Sequence, residues 1–121
     1  MKWHIRGAQW ILLAYSLFII ILTHIPSSDL PSIPRFNDKI VHGTMYGIWG
    51  IIACFAAKPR TALRWLLSGI LLALGDELTQ PYFDRHLDIW DWCADCCGLL
   101  LGYGLTQLSR NIIATNHTPK T

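Results

Sequence analysis

The chain has 121 residues, of which 52% are hydrophobic and 15% charged, with a formal net charge of +2. A soluble domain usually carries about a quarter charged residues, so this chain either meets lipid or buries an unusual share of itself. No basic–aromatic run suits nucleic acid, and no nucleotide-binding glycine loop is present.

Four apolar segments follow in chain order, over residues 9–25, 40–57, 62–79 and 89–108. Each is about the length needed to cross ~30 Å of hydrocarbon at ~1.5 Å per residue. The first, QWILLAYSLFIIILTHI, holds no charge. It follows a basic stretch, MKWHIRG, and no small-x-small cleavage site comes after it, which reads as a retained anchor rather than a removed signal. The other three carry polar residues near one end, and the connections between them are short enough for helical hairpins. A soluble helical bundle needs a polar stripe on every helix, and SLFIII and SGILLAL have none. The expected fold is all-α: a polytopic membrane protein, a bundle of four transmembrane helices forming a single domain over residues 1–108, with a short cytoplasmic tail at 109–121.

Charge sets the orientation. Lys2 and Arg6 precede the first span, Lys58, Arg60 and Arg64 surround the second turn, and Arg110 and Lys120 follow the last span. The positive-inside rule places these regions and both termini in the cytoplasm. Arg35, Lys39 and Arg85 are the minority on the outer side. Every acid also falls there: Asp29, Asp38, Asp76, Glu77, Asp84, Asp88, Asp91 and Asp95. Acids contribute little to topology, so orientation does not account for their segregation. Trp3, Trp10, Trp90, Trp92 and Tyr82 near span ends read as interfacial anchors. Cys54, Cys93, Cys96 and Cys97 read as packing residues, because the Cys93-x-x-Cys96 pair has no second pair and no βα pattern around it.

Spacing gathers the outer polar residues onto helical faces. Asp38, His42 and Tyr46 recur every four residues, and Glu77 and Gln80 are three apart. Asp88, Asp91, Asp95, Gly98 and Gly102 form one stripe, acidic outside and glycine deeper in. Gly98-x-x-x-Gly102 admits a close neighbour, for which Gly43-x-x-x-Gly47 is a candidate. If spans two to four pack together, Asp38, Lys39, His42, Tyr46, Glu77, Gln80, Arg85, Asp88, Asp91 and Asp95 converge near the outer surface as a candidate ligand-binding set. His42, Glu77 and Asp91 are the candidate acid/base groups. Arg85, planar and bidentate, suits a phosphate or carboxylate. Asp88, Asp91, His42 and Glu77 have the chemistry for Mg²⁺ or Ca²⁺. Ion pairing with Lys39 and Arg85 accounts for the same residues, so no metal and no cofactor are expected. Asp95 is the deepest acid, with Arg85, Lys39 and His42 as possible partners.

Asp38-Lys39, His42 and Tyr46, then Glu77-x-x-Gln80, Arg85-x-x-Asp88-x-x-Asp91 and the Gly98-x-x-x-Gly102 helix resemble the VanZ-like family over roughly Asp38 to Gly102. Asp95 stands where the resemblance leads one to expect asparagine. It implies a small integral protein of the bacterial cytoplasmic membrane, whose namesake is associated with low-level resistance to the glycopeptide teicoplanin.

Three functions remain open. An outward-facing polar pocket binds a cell-envelope head group, lipid-linked or peptidoglycan-related, with an effect on glycopeptide tolerance. Alternatively, the same residues form a membrane-embedded hydrolase or transferase with an acid/base mechanism. The third is a structural or assembly role, with the cluster acting as a polar clamp between helices. In each the lipid bilayer is the surrounding partner.

Overall fold

A computed structural model describes residues 2–32 and 34–116. The side chains of Lys2, Trp3 and Arg35, and all of Lys120, lie outside the described residues. Four helices account for most of the chain: α1 (Lys2–Thr23), α2 (Arg35–Ala56), α3 (Ala62–Thr79) and α4 (Ile89–Asn116). Short 3₁₀ turns at Ser27–Asp29, Pro59–Thr61 and Gln80–Phe83 join them, and there are no strands among the described residues. The all-α expectation holds. The third segment matches α3 end for end, α2 starts earlier than residue 40, and α4 runs on past Leu108 to Asn116.

The helix ends follow from the residues there. Pro34 stands just before α2, where a missing N–H leaves no helical bond unmade. Pro81 sits in the turn that ends α3, and Asp84 completes it in the left-handed region at φ 55°, which Asp tolerates through its short polar side chain. Asp88 stands before α4, and its Oδ1 accepts the Trp90 N–H at 2.9 Å, satisfying a donor that the helix cannot.

Two of these helices, over Ile5–Thr23 and Asn37–Ala56, are long and apolar enough to cross a membrane by length and composition. α3 and α4 fall short of that measure; Asp76 and Glu77 in α3, and Asp91 and Asp95 in α4, lower their hydropathy. The outward surface is nonetheless apolar on all four helices, with Trp10, Ile21, Phe55, Leu71 and Leu101 among many large exposed side chains. A soluble monomer rarely exposes so continuous an apolar surface.

α2 is the centre of the bundle. It packs along α4, carries α1 on its flank, and touches α3. Its contact with α4 is backbone on backbone. A Cβ on Gly98 would strike the carbonyl of Gly43, one on Gly102 the carbonyl of Gly47, and one on Gly50 the carbonyl of Leu99. The two glycine pairs expected from spacing therefore meet. Beneath them Tyr46, Trp49, Ala53, Ala73 and Leu99 form the core. Gly69 on α3 lets Leu99 and Trp49 reach the third helix. Midway along, α1 is tied to α2 by hydrogen bonds: Tyr15 Oη donates to the Met45 carbonyl at 2.9 Å, and Trp49 Nε1–H donates to Ser16 Oγ at 2.9 Å. At the opposite end from the acids, Arg110 donates to the Cys54 carbonyl at 3.0 Å and Gln9 to the Ala56 carbonyl at 3.4 Å, satisfying the last carbonyls of α2.

Gly98→Ala should lower stability by about 1–3 kcal/mol, because the obstacle is backbone that cannot turn aside. Gly104→Ala, with nothing within 4 Å of its new Cβ, should be neutral or stabilising by about 0.5–1 kcal/mol. Unfolding both variants in the same mild detergent checks the pair.

Candidate functional site

The close α2–α4 contact places the acidic ends of both helices side by side. His42 Nδ1 lies 3.0 Å from Asp95 Oδ1 and 3.9 Å from Glu77 Oε1, so one side chain from each of α2, α3 and α4 meets at a point. All three are buried. One turn further out, Lys39 bridges Asp88, at 2.6 Å, and Asp91, closing the outer end of the cluster. Glu77 also accepts the Asp88 N–H on its other oxygen at 3.2 Å, which fixes the loop before α4 against α3.

A fourth helix joins. Thr23, at the end of α1, donates to Asp76 Oδ1 at 2.6 Å, and His24 Nε2 is 2.8 Å from Thr79 Oγ1. His24 Nδ1 also lies 3.4 Å from Asp76 Oδ1. Asp76 and Glu77 are neighbours on α3, yet both are buried, because α1 covers one side of that helix end and α2 with α4 the other. Spacing singled out Glu77 and passed over Asp76 and Thr23. The signal for Asp76 was its position beside Glu77 at the end of an otherwise apolar segment. A lone threonine closing an apolar span gave no such signal.

The remaining expected residues fall as follows. Tyr46 and Gln80 are buried in the cluster, Asp38 is half-buried near His42 and Asp91, and Arg85 is half-buried on the loop after α3, within electrostatic range of Asp76. Lys39 pairs with Asp88 and Asp91 rather than with Asp95, whose partner is His42. Of the expected anchors, Trp10, Tyr82 and Trp90 are exposed. Trp92 instead packs against the core, and its indole N–H points to the Ile70 carbonyl at 3.4 Å. The four cysteines are free thiols, with Cys54 buried and Cys97 exposed.

Several polar atoms in this cluster have no hydrogen-bond partner among the described residues: Tyr46 Oη, Asp76 Oδ2, Glu77 Oε1, Gln80 Nε2 and Asp95 Oδ2. Leaving a buried polar atom unpaired costs about 1–3 kcal/mol. Buried polar atoms are normally paired with protein, ordered water or a bound ion.

α1 and α3 stand apart along most of their length and leave an apolar groove. One part, about 620 Å³, is lined by Ile20, Ile21, Leu71 and Leu72 and ends on His24, Asp76 and Thr79. A second part, about 720 Å³, shares Leu72 and continues past Leu13, Trp10 and Trp65 towards Arg6. The groove thus runs along the bundle's side and reaches the buried cluster at Asp76.

A protein-family model described as VanZ/LLP1 matches residues 9–110, which take in the body of all four helices. No curated protein and no solved structure matches the chain.

Thr23→Val keeps the side-chain volume and removes the hydroxyl that donates to Asp76 at 2.6 Å. It should destabilise by about 1.5–3 kcal/mol, the range for a hydrogen bond to a charged group. Ser68→Ala, which removes a bond only to the preceding turn of its own helix, should stay within about 0.5 kcal/mol. Denaturant unfolding in detergent compares them.

Proposed function

The chain belongs to the VanZ/LLP1 family, and from that premise we propose that it spans the bacterial cytoplasmic membrane four times, with both termini inside, and binds the head group of a lipid-linked cell-envelope molecule. The family match and the two long apolar helices make it a membrane protein. The four-span topology is supported by the apolar outer surface of α3 and α4 and by the lysine and arginine distribution.

The observation that carries the binding reading is the groove between α1 and α3, apolar along its length and ending on the buried carboxylate of Asp76. A lipid-linked molecule has that pattern: a hydrocarbon chain beside a polar head. Buried carboxylate oxygens without partners accept hydroxyl donors, as a sugar supplies. Arg85, on the loop after α3 and within electrostatic range of Asp76, suits a phosphate through its paired N–H groups. Glycopeptide tolerance, associated with the family's namesake, is the phenotype this reading connects to. Asp38, Lys39 and Asp88 then act at the mouth of the site, while His42, Tyr46, Glu77, Gln80, Asp91 and Asp95 form its floor.

A second reading, a clamp between helices, is favoured by the Lys39 bridge to Asp88 and Asp91. It leaves the unpaired atoms on Glu77, Asp76 and Tyr46 without an explanation.

Gly75 separates the two. It lines the groove, and a Cβ there would meet nothing within 4 Å. Gly75→Trp should fold normally and fill the groove. Binding of a polyisoprenyl diphosphate in detergent micelles should fall at least about tenfold in Gly75→Trp and in Arg85→Ala, the loss of one charge-assisted hydrogen bond being worth that much. Equal binding by the wild type and both folded variants, or no binding by the wild type, overturns the proposal.

A further inference from the structure

Burial of four carboxylates at one end of a bundle raises a charge problem that the observed ion pairs solve only in part. Asp76, Glu77, Asp91 and Asp95 are all buried. Lys39 lies against Asp91 and Asp88 and serves the outer turn. His42 is the basic side chain at the inner turn, and it faces both Glu77 and Asp95. Each of those acids keeps one oxygen with no hydrogen-bond partner among the described residues: Glu77 Oε1 and Asp95 Oδ2. Buried charges are normally paired or bound to a metal.

We infer that His42, Glu77 and Asp95 form a binding site for a divalent first-row transition ion. One ligand atom from each lies within 4.8 Å of the others. An ion about 2.0–2.1 Å from each ligand holds its neighbours about 3.0–3.4 Å apart. The observed separations of 3.0 Å from His42 Nδ1 to Asp95 and 3.9 Å to Glu77 bracket that range. A small rotation of the Glu77 carboxylate closes the difference. One imidazole and two carboxylates favour Mn²⁺, Fe²⁺ or Zn²⁺ over Mg²⁺ and Ca²⁺, which prefer oxygen alone.

A second triad, Asp38, His42 and Asp91, also brings its ligand atoms together. It is the poorer site. The Lys39 ammonium occupies the Asp91 carboxylate and would repel an incoming cation, and Asp38 is half-exposed. Tyr46 Oη, buried, without a hydrogen-bond partner among the described residues and within electrostatic range of Asp76, Asp95 and Glu77, is placed to bond to a ligand or water on the ion. The site stands whether or not a lipid head group binds.

The test uses the full-length protein in mild detergent, stripped with a chelator and titrated with Mn²⁺, Zn²⁺ or Mg²⁺ in the absence of any lipid ligand. Bound metal is measured by elemental analysis, and binding also by the rise in unfolding temperature. The wild type should hold about one Mn²⁺ or Zn²⁺ per chain and take up Mg²⁺ at least about tenfold more weakly. Asp95→Asn and His42→Gln should weaken Mn²⁺ binding at least about 100-fold, and Asp38→Asn, which removes only a nearby charge, by less than about tenfold. No bound ion and no temperature shift in the wild type overturns the inference, and so does equal loss in Asp38→Asn and Asp95→Asn. Because the wild-type titration decides by itself, a variant that fails to fold does not blunt the test. Failure here leaves the lipid assay untouched, and success here does not require it.

Discussion

The contact of α2 with α4 at Gly43, Gly47 and Gly50 against Gly98, Gly102 and the Leu99 backbone brings the polar ends of these two helices within reach of each other. Side chains on Gly50, Gly98 or Gly102 would hold the helices apart. His42 would then lose Asp95, and Lys39 would lose Asp91, because each pair spans the same two helices a few residues further out. In lipid there is no hydrophobic drive to bring two apolar helices together, so backbone contact and polar pairs must do so. Here the contact lies deep and the polar pairs lie at the outer end, and the first allows the second to form.

That arrangement concentrates charge where it is hardest to hold. α3 adds Asp76 and Glu77 to the acids of α4, and α1 answers with the Thr23 hydroxyl and His24. Every helix contributes to the cluster, which explains why the polar residues are distributed as they are along the sequence. It does not explain why so many of their atoms lack partners. Buried polar groups that rigidify a fold are normally saturated. The unpartnered atoms on Glu77, Asp76, Asp95 and Tyr46, and the apolar groove that ends on Asp76, are what the proposed site rests on.

Much of this was legible in the sequence, through spacing. The four-residue steps of Asp38, His42 and Tyr46 and the alternating steps of Asp88, Asp91 and Asp95 each put one face inward, and the structure buries most of them. The α3 boundaries coincide with the apolar segment over residues 62–79, and the combined motifs identified the family that the match over residues 9–110 shows. What spacing does not carry is a helix end covered on two sides. Asp76 is about 100° around the helix from Glu77, so a single inward face admits one of them. Asp76 is inward only because α1 lies there. Trp92 was misread for the same reason: its place near a span end suggested the interface, whereas its indole turns to α3. Hydropathy was a weak guide to α3 and α4, since the acids that make the site interesting lower the signal of the helices that carry it.

The most direct measurement compares the unfolding of wild type and Glu77→Gln, both metal-free and in the same detergent. The amide keeps an oxygen to accept the Asp88 N–H, now 3.2 Å from the carboxylate, and removes one charge from a buried group of acids. If the cluster is a site, its charges strain the empty protein, and stability should be unchanged or higher. A loss of about 3–5 kcal/mol, the effect of breaking a well-buried pair, would make the cluster a clamp and contradict the account.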